Sequence, residues 1–201
     1  MSFSEFKDIP QVQKKYGIKY RELNFIAAHE FAVSEIFSTE LEFSLKNLDA
    51  FASEAARCEI IIFPILREAY RNYSANLSLW VQKPISFDNE LTGTPDYMVS
   101  KRSEYGKLFL DHPILTVVEA KKSDFEQGWG QCLAELVASQ KLNKSETSVY
   151  GIVTDGETWK IGYLENKIFT KNIKNFTIDR LAELFFALNF IFKEITAKLN
   201  L

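Results

Sequence analysis

Ile114-Leu115-Thr116-Val117-Val118-Glu119-Ala120-Lys121 is an apolar run that ends in a carboxylate and an ammonium. A strand wet on one face alternates apolar and polar residues, whereas one covered on both faces is apolar throughout. The run therefore predicts a strand over Ile114–Ala120, central in its sheet and covered on both sides. Glu119 and Lys121 lie two residues apart, so both leave the same face of that strand, while Ala120 points the other way.

Working outward, residues 94–101 read as a preceding strand, and the Gly- and charge-bearing stretch 103–113 as its connection to the central one. Residues 76–87 alternate Leu77, Leu79, Val81 and Ile85 with polar partners, which predicts another strand, closed by a turn at Asp88-Asn89. After Asp124 a helix is expected to about Lys141, with Leu133, Leu136 and Val137 inward. Two strands over 148–154 and 158–164 flank Asp155-Gly156, a dipeptide suited to a tight hairpin turn. Helical spacing is read over 20–48 and over 178–199. A further helix starts after Phe51, capped by Ser53 with Glu54 in its first turn, and runs to about Tyr73 with a kink or break at Pro64. The order helix, three strands, helix, two strands, helix describes an α/β fold, a mixed sheet with helices on its faces.

The chain has 201 residues, which fits a single domain: a helical N-terminal extension over 1–50, a core over 51–165 and a C-terminal helical segment over 166–201. An apolar share of 46% with 17 phenylalanines fits a packed globular protein. The net charge of −3 gives no overall attraction for polyanions, so nucleic-acid binding requires a local basic surface. Cys58 and Cys132 are too few for a disulfide scaffold, and His29 and His112 too few for a histidine metal cluster or a Ser-His-Asp triad. No apolar run has the length of a membrane span, and residues 1–10 do not resemble a signal peptide. A cytoplasmic location with no membrane association is expected.

Pro95-Asp96 brings a second carboxylate. If the two strands pair, Asp96 sits beside Glu119, with Cβ atoms about 5 Å apart. Carboxylates that close repel unless a cation lies between them. Oxygen ligands without imidazole or thiolate select Mg²⁺ or Mn²⁺.

Gly93-Thr94-Pro95-Asp96, followed by Val117-Val118-Glu119-Ala120-Lys121, resembles the signature of the PD-(D/E)XK nucleases. Gln131, in Gln127-Gly128-Trp129-Gly130-Gln131, matches the glutamine many members place beside the active centre. Ser53-Glu54-Ala55 and Pro64-Ile65-Leu66 resemble the helix before the core in nuclease domains of type I restriction motor subunits. The resemblance covers about residues 53–164 and implies a restriction-endonuclease-like fold and metal-dependent phosphodiester hydrolysis of nucleic acid, expected to be DNA. On it, Asp96 and Glu119 hold Mg²⁺ or Mn²⁺, the Ala120 carbonyl completes the coordination, and Lys121 orients or deprotonates the attacking water. Glu54 is the acidic helix residue that reaches the metal, with Glu59 as the second choice. The partner is nucleic acid, and a homodimer or a partner protein is compatible with cutting both strands of a duplex.

Plainer readings stand beside these. Glu-Ala-Lys is a common surface tripeptide, and Pro-Asp is ordinary turn chemistry. Glu54 and Glu59 suit a helix N-terminus through its dipole alone. Gln131 fits a helix surface, and Trp129 a core. Lys101, Arg102, Lys107, Lys121, Lys122, Lys141 and Lys144 cluster around the signature in sequence, which would suit phosphate contacts. Trp80, Tyr97 and Tyr105 could stack on bases, although half-buried strand aromatics are usually core. The alternative function is a catalytically inactive binding or assembly module on the same fold.

Overall fold

The computed structural model of the chain describes residues 2–27 and 30–200; His29 lies outside them. At its centre is a mixed eight-stranded sheet with helices on both faces. The strands are β1 (Lys19–Leu23), β2 (Leu77–Val81), β5 (Tyr97–Lys101), β6 (Ile114–Ala120), β7 (Val149–Thr154), β8 (Thr158–Glu165), β9 (Ile168–Asn172) and β10 (Phe176–Thr177). Their order is β1-β9-β8-β7-β6-β5-β2, with β10 pairing the start of β8. Two short strands, β3 (Ile85–Ser86) and β4 (Thr92–Gly93), form a separate hairpin around the Asp88 turn.

The apolar run behaves as its composition requires. All seven residues of β6 are buried, between β5, which runs antiparallel, and β7, which runs parallel. One face is covered by α5 (Phe125–Asn143), whose Trp129, Leu133 and Leu136 join Val117 and Val153 in one apolar cluster. Beyond it lies α1 (Ile9–Tyr16), capped by Asp8, whose carboxylate accepts the Gln11 N–H, and ended by Gly17 at φ 68°. The other face is covered by α4 (Phe63–Arg71) and α6 (Leu181–Ala197), where Ile65, Phe185 and Leu188 meet Val118, Ala120 and Ile152.

The helix expected after Phe51 begins as α3 (Glu54–Arg57), with Ser53 Oγ accepting the Ala56 N–H as foreseen. The break at Pro64 takes a particular form. Residues Cys58–Ile62 make a π-turn, so that the Phe63 N–H reaches back to the Cys58 carbonyl and Pro64 falls in the first turn of α4. A proline has no N–H to donate and crowds the carbonyl four residues back, and a widened turn absorbs both defects.

Other expectations need correction. Helix over 20–48 holds only for α2 (Glu35–Asn47); residues 19–23 are instead an edge strand with every residue exposed. The segment 1–50 is therefore not wholly helical, and neither is 166–201, which contributes β9 and β10 before α6. Their pairing widens the sheet well past the five strands foreseen: β1 lies parallel to β9, which closes antiparallel on β8. The strand foreseen over 76–87 is two, because Gln82 turns to φ 45° and Pro84 follows. The strand foreseen over 94–101 begins only at Tyr97. No helix among the described residues is long and apolar enough to cross a membrane.

Candidate active site

The end of β6 carries the groups singled out in the sequence. In the antiparallel β5–β6 register Tyr97 faces Val118, so Asp96 falls opposite Glu119 although it precedes the strand. Its Oδ2 accepts the backbone N–H of Ala120 at 2.8 Å. That contact fixes the Asp96 carboxylate against the peptide joining Glu119 and Ala120. Glu119 is fully buried, and Lys121 Nζ stands 3.3 Å from its Oε2. The contact is an ion pair lacking hydrogen-bond alignment, and neither oxygen of Glu119 has a well-formed hydrogen bond among the described residues. Ala120 turns its methyl to the opposite face, among Val118 and Ile152.

A residue that the sequence did not single out completes this end of the sheet. Glu135 of α5 is fully buried against Glu119, whose charge disfavours ionisation of Glu135, while Gln131 Nε2 donates to Glu135 Oε1 at 3.4 Å. Gln131 thus reaches the centre through Glu135. Two buried carboxylates cannot both be ionised cheaply, and a proton held between them is one way to resolve the conflict. Burial pushes Glu119 up to about 7, opposed by a proton offered from Glu135, and Asp96 adds to the rise. Burial raises Glu135 well above the ordinary carboxylate value, with the Glu119 charge next in effect, so the pair shares a proton. Asp96 is also raised by burial, partly offset by the Ala120 N–H and by Lys121.

Lys121 is drawn down by burial, but Glu119 and Asp96 together outweigh it and leave its pKa raised. In this environment it is an ammonium, so the depressed value a general base requires is not met by the protein alone. Its stem passes beneath α5 because residue 128 is glycine. A Cβ there would lie 2.6 Å from Val153 Cγ1 and 3.0 Å from Lys121 Cγ.

The two acidic candidates on the preceding helix separate. Glu54 is exposed at the start of α3, yet its charge acts on both Asp96 and Lys121. Glu59 is exposed on the π-turn and acts on Tyr97 instead. Lys122 is exposed beside the site. The other basic residues are not gathered here. Lys101 ends β5 at the far end from Asp96, its N–H bonded to Pro113 before β6 begins, and Asn143, near Lys141 and Lys144, bonds Ile114 at the start of β6. Their closeness to the signature in sequence spans the length of the strands in space. Of the aromatic residues, Tyr97 is core, Trp80 donates to Ser100 Oγ, and Tyr105 stands exposed on the distant 103–113 connection.

The donor set suits a hard divalent ion. Glu119 offers two buried oxygens without well-formed hydrogen bonds, an arrangement that is costly unless a cation or proton answers it. Among the described residues no three His, Cys, Asp or Glu side chains form a ligand cluster, so an ion here would draw on Asp96, Glu119, backbone carbonyl oxygen and water. No protein-family model matches the chain, and no curated protein matches its sequence.

Proposed function

We propose that this chain is a divalent-metal-dependent nuclease with a restriction-endonuclease-like fold of the PD-(D/E)XK kind, acting on DNA with Mg²⁺ or Mn²⁺. The reading rests on one observation: a fully buried Glu119 whose oxygens lack well-formed hydrogen bonds, joined at a strand end by Asp96 and Lys121. The mixed order, with β6 antiparallel to β5 and parallel to β7 beneath α5, supports it as a scaffold that brings a carboxylate from each of two neighbouring segments to one point.

Asp96 and Glu119 would hold the ion, with the Ala120 carbonyl and Glu54, the latter through water, as further donors. A bound divalent ion supplies hydroxide at neutral pH and offsets the charge that grows on the phosphate oxygens. Asp96 is held for this by the Ala120 N–H. Lys121, being charged, orients the attacking water and places a positive group against a non-bridging oxygen, as electrostatic stabilisation requires. Glu135 and Gln131 position Glu119 from above, Glu135 by sharing its proton and Gln131 by fixing Glu135.

The test is incubation of the purified chain with duplex DNA, single-stranded DNA and RNA, with Mg²⁺ or Mn²⁺ and with EDTA. Metal-dependent cleavage that is lost in Asp96→Ala and Lys121→Ala is expected. Absence of cleavage by the wild type under all these conditions, or full activity in both variants, overturns the reading.

A further inference from the structure

At the other end of α5 from Glu119 a cleft of about 400 Å³ opens between the end of α1, the end of α5 and the turn joining β8 to β9. Its floor is apolar, made by Ile18, Val137 and Leu164. Tyr16 forms one wall, and its hydroxyl is buried without a hydrogen-bond partner. Lys141, Lys144 and Lys167 also line the cleft, against one carboxylate, Glu146. None of the three lysines belongs to a salt bridge among the described residues.

Two of these lysines occupy backbone positions that glycine ordinarily fills. Lys144 ends α5 in the left-handed conformation, at φ 53°. Lys167 is the second residue of the two-residue turn after β8, where Asn166 and Lys167 have φ of 47° and 58°. Helix ends and tight hairpins of this form favour glycine there, because a Cβ is crowded at positive φ. The helix dipole accounts for cations at the end of α5 but not for Lys167 on a different element. Two strained lysines from separate turns on one cleft are what a bound anion would explain.

We propose that this cleft binds a nucleoside diphosphate or triphosphate, its base on the apolar floor beside Tyr16 and its phosphates among Lys141, Lys144 and Lys167. The volume falls within the range of small-molecule sites, roughly 300–1,000 Å³. Lys141 already lies over the Phe87 ring at 4.9 Å, but an uncharged ligand would leave Lys144 and Lys167 without a counter-charge, and a bare phosphate would leave the floor unused. Nearby acids offset only part of the charge: Glu90 is paired with Lys15 at 2.7 Å, and Asp88, which interacts with Lys141, accepts the N–H groups of Glu90 and Leu91 on one oxygen.

The experiment is calorimetric titration in EDTA with ADP, pyrophosphate and adenosine, on the wild type and on Lys144→Gly, Lys167→Gly and the double variant. Glycine relieves the backbone at both positions, so these variants keep the fold, which a melting curve checks. ADP binding is expected to weaken by roughly tenfold per lysine, with pyrophosphate and adenosine each weaker than ADP, and Asp96→Asn is expected to bind ADP as the wild type does. No ADP binding at millimolar concentration, unchanged binding in the double variant, pyrophosphate binding as tight as ADP, or loss of binding in Asp96→Asn would each overturn the assignment.

Discussion

The carboxylate of Asp96 and the peptide N–H of Ala120 are joined at 2.8 Å, although Asp96 stands one residue outside its strand. A half-buried acid is thereby used as an extra rung of the β5–β6 ladder. Removing it has two separable effects. Asp96→Ala leaves the Ala120 N–H without its acceptor, a loss of about 1–3 kcal/mol. Asp96→Asn keeps an amide oxygen for that N–H and removes only the charge. Urea unfolding is expected to show the first variant clearly destabilised and the second within about 1 kcal/mol of wild type, while cleavage is abolished in both. Equal destabilisation would mean that the hydrogen bond does not hold this end of the sheet.

Glu119 and Glu135 predict an unusual dependence of stability on pH. Both carboxyls have pKa values raised by burial, Glu119 to about 7 and Glu135 well above the ordinary carboxylate value. For a carboxyl raised in the fold, the stabilisation is complete below its unfolded value, about 4.3, and is lost as pH rises through the folded value. The metal-free protein should therefore melt at progressively lower temperature as pH climbs from about 5 past 7. A tenfold change in a group's proton affinity on folding is worth about 1.4 kcal/mol, so the slope is within reach of a melting experiment. Glu135→Gln removes one acid and should flatten this slope, and Mn²⁺ should raise the melting temperature most at the alkaline end. Parallel curves for wild type and variant in EDTA would show that the pair does not set the slope.

Glu54 and Glu59 give opposite expectations despite lying five residues apart. Glu54 acts electrostatically on Asp96 and Lys121, whereas Glu59 acts on Tyr97. Mn²⁺ titrated calorimetrically should bind Glu54→Gln several-fold more weakly than wild type, consistent with a charge that acts through water. Glu59→Gln should match wild type. A loss of affinity in the second variant and not the first would reverse the assignment of the helix acid.

What could be read from the sequence was what local chemistry alone determines. The β6 run, the Asp155-Gly156 hairpin and the Ser53 cap all appear where their residues predict. The strand β1 did not, because Lys-Tyr-Arg-Glu-Leu shows no alternation and its pairing with β9 comes from residues some 150 positions away. The β8–β9 turn was equally hidden, since a lysine occupies the position where glycine would have marked it. In the site, Asp96, Glu119 and Lys121 were legible because they end or precede apolar strands. Glu135 was not: between Ala134 and Leu136 it reads as one solvated position on a helix, and only the sheet closing beneath α5 buries it. The basic residues misled for the converse reason, being near the signature along the chain and a strand length away in space.

Gly128 supplies the sharpest separation of folding from chemistry. A methyl group there would lie 2.6 Å from Val153 Cγ1 and 3.0 Å from Lys121 Cγ, so α5 must lift or the lysine stem must move. Alanine would gain about 1 kcal/mol of helix propensity, set against about 1–3 kcal/mol for overpacking. The net change in stability of Gly128→Ala is thus modest. Moving Lys121 does not relieve the closer contact with Val153, which is held in a strand, so α5 lifts from the sheet at this turn and takes away the packing that holds Lys121 3.3 Å from Glu119. Cleavage should drop by at least tenfold while the unfolding midpoint shifts little, because a misplaced ammonium loses transition-state interactions without unfolding the site. A variant with full activity would show that the lysine does not need this position, and the role given to it would fall with that result.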